Sequence, residues 1–164
     1  MQKKFLYSSM ILLVGLFSYI LGGIFVFRMS RKWLAEKIRK VDKFKRYYSV
    51  LNEWLMLKNC NHNLEEYFKN NAYGEIAVYG IGELGRRLCE ELKDTDIEIE
   101  YIVDGKVSGN YLGVEIMDMD SQLKAVDVVV VTAVFDLERI EKQLKEKVSF
   151  PVVSLEEVIY EIEL

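Results

Sequence analysis

Three glycines and one aspartate hold the clearest chemistry in this chain. Gly80, Ile81, Gly82, Glu83, Leu84 and Gly85 spell G-x-G-x-x-G, and Asp104 follows Gly85 by 19 positions. The first glycine of such a loop permits a tight turn off a strand. The second lets a pyrophosphate approach the backbone without meeting a Cβ, and the third lets a helix pack closely on the strand. Unpaired N–H groups at the helix start, with the positive end of its dipole, receive phosphate. An acid about 20 residues on accepts hydrogen bonds from ribose hydroxyls, and a 2′-phosphate there meets like charge. Asp104 therefore argues for NAD or a nucleoside-diphosphate sugar over NADP.

Such a loop needs a strand before it, a helix after it and a second strand ending at the acid. Ile76–Tyr79 reads as the first strand, Arg86–Lys93 as the helix and Ile97–Val103 as the second strand. The alternation continues through an extended piece at Gly113–Ile116 and a helical turn at Ser121–Lys124. Asp127–Thr132 is an almost wholly apolar strand, suited to burial on both faces. Asp136 is placed to cap a helix over Leu137–Lys147, and Pro151–Val153 reads as the last strand. Ser154 and Glu157 form a capping box for a helix over Leu155–Ile162. The fold class expected is α/β, a small Rossmann-like parallel sheet in the order 2-1-3-4. Its ligand crevice lies at the strands' carboxyl ends. Thr132, Ala133 and Val134 are expected to line that crevice beside Gly82.

Two segments precede this domain. Phe5–Phe27 carries no charge over 23 residues, a length of about 34 Å as helix, enough to cross a hydrocarbon core of about 30 Å. It is longer than the apolar core of a signal peptide and is followed by Arg28, Arg31 and Lys32. The basic flank places the body of the protein on the cytoplasmic side and the N-terminus outside, a single-pass cell-membrane arrangement. Residues 30–58 lack Gly and Pro, and Leu34, Ile38, Val41, Phe44, Tyr48, Leu51 and Leu55 recur at helical steps of three and four. That stripe suits a coiled-coil seam, a groove partner or docking on the chain's own domain. At the next joint, Asn63 with Glu66 reads as an N-cap for a helix over Leu64–Asn70. The expected organisation is a transmembrane helix at 1–28, a basic helical stalk at 29–73 and the nucleotide-binding domain at 74–164.

Composition narrows the function classes. The chain has 164 residues, 51% apolar, with one proline, which excludes a disordered polar chain and a collagen-like fibre. Two cysteines, Cys60 and Cys89, make no disulfide framework, and with one histidine, His62, no metal site is expected. The net charge of −4 averages unlike parts. Residues 28–48 hold nine Lys/Arg against Glu36 and Asp42, a net of +7, while residues 49–164 hold 11 against 24, a net of −13. A basic stretch beside a membrane span is drawn to anionic lipid headgroups, a simpler account of the stalk than nucleic acid. An acidic domain is no nucleic-acid surface.

Gly80–Leu92, read GIGELGRRLCEEL, resembles the nucleotide-binding domain of bacterial membrane-bound polysaccharide-biosynthesis proteins. These are the nucleotide-sugar dehydratases with transmembrane segments and the initiating sugar-phosphate transferases. It is also similar to the N-terminal domain of sugar O-acyltransferases. The likeness covers about residues 74–162, with Asp104 and Gly113–Ile116 matching the later elements. It implies a domain that binds a nucleotide, nucleotide sugar or dinucleotide, or that has become a scaffold.

The departures are specific. The acyltransferases carry a histidine where this chain has Glu83, and continue into a left-handed β-helix. The dehydratases need Tyr-x-x-x-Lys, and no tyrosine here has a lysine four positions on. With no triad, P-loop or metal cluster expected, catalytic residues are absent from the expectation. The chain is then a membrane-anchored cytosolic module, accessory to surface-polysaccharide biosynthesis. The alternatives are a non-binding scaffold recruiting a glycosyltransferase or other polysaccharide enzyme, and a small NAD-dependent oxidoreductase. A homo-oligomer is among the partners considered.

Overall fold

Valine and isoleucine at alternate positions build the centre of the molecule. In β1 (Glu75–Tyr79), Ile76 and Val78 face one side of a sheet and Ala77 the other; in β5 (Val128–Val131), Val128 and Val130 oppose Val129 and Val131. All four β5 residues are buried, as a strand covered on both faces requires. The computed structural model describes the backbone of residues 2–162 and the side chains of residue 15 and residues 17–162. It divides into two units, Met1–Lys45 and Arg46–Leu164.

The first unit is helix, the greater part of α1 (Gln2–Asn59). Every described side chain in it is exposed. Among the described residues no helix is long and apolar enough to cross a membrane. Within the expected span, Phe5–Phe27, the side chains of residues 5–14 and 16 lie outside those described.

The second unit is α/β. After the last residues of α1 come α2 (Glu65–Asn70), β1, α3 (Glu83–Leu92), β2 (Glu98–Val103), β3 (Gly109–Tyr111) and β4 (Val114–Met117). Then follow β5, α4 (Leu137–Lys145), β6 (Val152–Ser154) and α5 (Leu155–Tyr160). The sheet has six strands in the order β3-β4-β2-β1-β5-β6, parallel throughout except at β3–β4. This differs from the expected four-strand order 2-1-3-4, because a hairpin, β3–β4, adds two strands beyond β2. Its turn, Leu112-Gly113, has φ of +53° and +91°, and Asn110 Oδ1 accepts the Gly113 N–H.

One face of the sheet is covered by α2, α3, α5 and the last turns of α1, through Leu64, Phe68, Leu84, Leu88, Leu155 and Val50 among others. The opposite face packs Ala77, Tyr101, Val103, Val129 and Val131 against Ile140 and Leu144 of α4. Three local expectations need correction. Ser121–Lys124 forms no helix, so β4 crosses to β5 through irregular chain. Asp136 starts α4 without a side-chain cap. The Asn63 side chain caps nothing: its Oδ1 is buried without a hydrogen bond, and only the return bond, Asn63 N–H to Glu66 Oε1, forms. The Ser154 cap does form, its hydroxyl oxygen accepting the Glu157 N–H at 3.0 Å.

The largest difference lies in α1. The stripe Leu34, Ile38, Val41, Phe44, Tyr48, Leu51 and Leu55 is exposed throughout, from 44% at Leu51 to 75% at Phe44. A different face enters the α/β unit: Tyr47, Val50, Trp54 and Leu57, also at steps of three and four. Val50, Trp54 and Leu57 are buried, so residues 46–59 belong to the domain that was expected to begin at 74.

Candidate functional site

The glycine loop sits where a strand–helix unit must turn. Gly80 leaves β1 at φ +97°, a left-handed conformation that side chains resist. Its N–H donates to Val103 O at 2.8 Å, which ties the loop to the end of β2. Gly85 lies in the first turns of α3, and a Cβ there would come to 2.0 Å from Gly80 O. Only glycine lets α3 cross the strand end at this separation. Gly82 is the N-cap of α3 in extended conformation and is exposed, as is Glu83. A Cβ on Gly82 would meet nothing nearer than the Tyr47 hydroxyl at 3.9 Å. The first and third glycines are thus demanded by the fold, and the second is not. Ile81 and Leu84 are buried, anchoring the loop from below. The helix begins at Glu83 rather than Arg86, so the loop's last three positions already belong to it.

Asp104 stands at the carboxyl end of β2, beside the loop. Its Oδ2 accepts the Ile81 N–H at 3.0 Å, and its Oδ1 accepts the N–H groups of Lys106 and Val107 at 2.8 and 3.1 Å. The carboxylate therefore spans the glycine loop and the turn after β2, and most of its acceptor capacity serves the backbone. Thr132 and Ala133 follow β5. Thr132 is buried, its hydroxyl donating to Gly80 O at 2.8 Å, with Tyr79 O at 3.1 Å. It holds the loop from behind instead of facing a ligand. Ala133 Cβ is 3.9 Å from where a Gly80 Cβ would stand, and Val134 is buried. The structure brings every residue of the expected set to one end of the sheet.

Residues outside that set complete the surroundings. Tyr47, from α1, stacks on Phe135 with ring centroids 5.7 Å apart and planes 10° from parallel. Burial raises its pKa above the ordinary tyrosine value, and the nearby Leu84 backbone N–H acts in the opposite direction. Arg46, one residue earlier, donates from Nη1 to Val134 O at 3.3 Å, and its Nε lies 3.7 Å from Glu156 Oε2. Nothing in local spacing signals these contacts, since Tyr47 and Phe135 are far apart in the chain. On the outer side, the Arg86 guanidinium lies over the Tyr111 ring at 5.4 Å, and its Nε reaches Ile81 O at 3.4 Å. Arg87 pairs with Glu90 at 2.6 Å. The Tyr111 hydroxyl and Arg87 together hold the Glu90 carboxyl below its usual range.

Two other features lie apart from this loop. A cavity of about 700 Å³ opens at the amino end of β2, lined by Cys89, Leu92, Glu98, Glu100, Leu112 and Glu115 among others. Burial pushes the Cys89 thiol up to about 11, which leaves it protonated and unreactive at neutral pH. His62 Nδ1 lies 2.9 Å from Glu66 Oε2, and among the described residues no group of three or more His, Cys, Asp or Glu could hold a metal ion.

The arrangement can offer backbone N–H groups to a phosphate at an exposed glycine. It brings no nucleophile and base together at that point. Comparisons with family models, curated proteins and solved structures find no match to this chain.

Proposed function

We propose that this chain is a membrane-anchored module that binds a nucleoside-diphosphate sugar or a dinucleotide such as NAD at the loop Gly80–Gly85. The observation that supports this most is Gly82. It is exposed at the start of α3, and neither its backbone angles nor its neighbours require glycine, whereas Gly80 and Gly85 are required by the fold. A glycine needed only for the approach of something from outside suits a pyrophosphate. The Asp104 charge beside the loop disfavours a ligand with a 2′-phosphate. Membrane anchoring rests on the uncharged run Phe5–Phe27 and the basic residues after it, with the α/β unit cytoplasmic. The polysaccharide setting rests on the motif resemblance alone.

Calorimetry of the full chain in detergent micelles, with NAD, NADP and UDP-glucose, tests the reading. The expected result is binding of NAD or UDP-glucose that Gly82→Val abolishes while the variant still melts cooperatively, a few degrees below the wild type at most. Silence from all three ligands at millimolar concentration would sink it. The full chain is needed because a fragment starting at residue 60 omits Val50, Trp54 and Leu57. Their burial contributes about 6 kcal/mol at about 2 each, comparable with the whole stability of a small domain.

A second reading is favoured by the exposed apolar residues Leu34, Ile38, Val41 and Phe44 of the first unit. Contiguous exposed apolar surface marks interaction sites. On that reading the protein is a scaffold that recruits a glycosyltransferase, or a second copy of itself, at the membrane. Cross-linking in native membranes separates the two: a scaffold keeps its partner when Gly82 is replaced by valine.

A further inference from the structure

An exposed seven-residue repeat runs along α1. Leu34, Val41, Tyr48 and Leu55 stand at intervals of seven on this one helix, all between 53% and 67% exposed. A position that returns every seven residues drifts about 20° per step round a straight helix, so a partner helix that follows it supercoils left-handedly. In heptad terms these four are d, and the a positions between them are Ile38, Lys45 and Asn52. Phe44 and Leu51, also exposed, lie beside the seam at g. The core residues Val50, Trp54 and Leu57 fall at f and c, roughly opposite. In its last turns the helix thus gives one side to the fold and leaves the repeat on the other.

We propose that this repeat is the seam of a parallel, in-register coiled coil between two copies of the chain. It names the partner of the exposed stripe, rests on the scaffold reading of that stripe, and is independent of any ligand at Gly82. The charges fit a like partner. In a parallel pair each g residue faces the e residue five positions on in the other helix, so Lys37 meets Asp42 of the second copy, twice by symmetry. Among the described residues Asp42 makes no ion pair, and the Lys37 ammonium rests over the exposed Trp33 ring at 5.4 Å, a weak contact to give up. The pair Leu51 and Met56 stands in the same g-to-e relation and is apolar, with both residues exposed. Asn52 at a faces its own counterpart, the polar pair that fixes a two-stranded register. Its amide otherwise reaches the Met56 sulfur at 3.8 Å. An antiparallel pair sets a against d and loses both the Asn52 pair and the Lys37–Asp42 pair.

A lipid surface fits the stripe less well. A helix lying among headgroups carries its cations beside the apolar face, where their stems reach up to the water. Here Lys32, Arg39 and Lys43, at steps of seven and four, fall at b and f on the far side of α1. Pairing the seams turns these cations outward, away from each other and toward anionic headgroups beside the expected span. Lys45 at a weakens the seam, since two ammonium groups must bend out past it. Three heptad steps with such a residue are near the lower limit for a coiled coil. Anchoring makes up the difference: chains held in one membrane run in the same direction and meet at high effective concentration.

Disulfide trapping of the full chain in native membranes reads the paired face directly. With Cys60→Ser the chain retains Cys89, which is buried. Single cysteines then replace Leu34, Ile38 or Val41 on the seam, and Arg39 or Lys43 on the far side, all exposed positions of the first unit. In an in-register pair the seam positions meet their counterparts within disulfide reach, whereas far-side positions stand roughly 15 Å apart. Mild oxidation should give about tenfold more disulfide dimer with Leu34→Cys, Ile38→Cys and Val41→Cys than with Arg39→Cys and Lys43→Cys. Adding Val41→Asp to the Leu34→Cys chain should cut its yield about fivefold, since like charges then face each other across the seam. Equal yields at all five positions, or no dimer from the seam positions, overturn the second copy. A photoreactive phenylalanine analogue at Val41 then decides the scaffold reading. An adduct with a different protein leaves that reading standing, and no adduct at all overturns it as well.

Discussion

The indole N–H of Trp54 donates to Glu91 Oε2 at 2.7 Å, joining the last turns of α1 to the last turn of α3. The other oxygen of Glu91 accepts the Leu64 N–H at 2.8 Å and lies 2.8 Å from Lys58 Nζ. One carboxylate, 8% exposed, thus ties α1, the start of α2 and α3 together. Glu91→Ala leaves a buried indole N–H and a backbone N–H without acceptors. The expected loss is about 2–4 kcal/mol, since hydrogen bonds to a charged group count for more than neutral ones and orphaned donors keep their desolvation cost. Urea unfolding of the full chain in micelles measures it. A loss below about 0.5 kcal/mol would deny Glu91 this part.

The three loop glycines should separate by stability alone. Gly85→Ala places a Cβ 2.0 Å from Gly80 O, a backbone clash that costs about 3 kcal/mol or more. Gly80→Ala is strained by its φ of +97° and costs about 1–2 kcal/mol. Gly82→Ala costs about 1 kcal/mol or less, the difference between glycine and alanine at an N-cap. Melting curves of the three variants should fall in that order.

Acid should weaken the molecule partly through Asp127. Its Oδ2 accepts the N–H groups of Glu75 and Gly74 at 2.9 and 2.7 Å, and these two bonds hold its carboxyl below the usual range. A depressed folded-state pKa contributes stability that is present above the unfolded value, near 4, and is lost as pH falls through the folded value. Asp127→Asn should therefore lose less melting temperature than the wild type between about pH 4.5 and 2.5. Identical slopes would remove Asp127 from the account.

Thiol chemistry should distinguish the two cysteines. Cys60 is exposed, whereas Cys89 is buried with its thiol pushed up to about 11. At pH 8 a thiol reagent should modify one cysteine per chain quickly and the second only after denaturation. Rapid reaction of both would show that α3 does not stay packed at Cys89.

Orientation in the membrane has its own test. A reporter fused at Leu164 should read as cytoplasmic, given the basic residues that follow Phe27. An external signal would reverse the placement of the α/β unit.

The loop Gly80–Gly85 was legible in the sequence because its requirements are local: a strand, a tight turn and a helix within about 20 residues. The hairpin β3–β4 was not. Its turn puts Leu112 at positive φ, where asparagine or glycine would have given the signal. The burial of α1 was misread for a different reason. Residues 44–57 carry apolar side chains on two faces, and both Tyr48-Leu51-Leu55 and Tyr47-Val50-Trp54-Leu57 obey helical spacing. Only the position of the sheet decides between them. The same holds for Asp104, whose place was read correctly while its use by three backbone N–H groups was not. Those donors come from loops whose paths spacing does not specify.

The contact between Gly85 and Gly80 O bears on how such chains would diverge. A chain of this fold with no ligand at the loop would still need glycine at both positions to keep α3 against β1. Position 82 would be released and could drift to alanine or serine at little cost. Two glycines of the motif are therefore held by the fold itself, and the middle one is not.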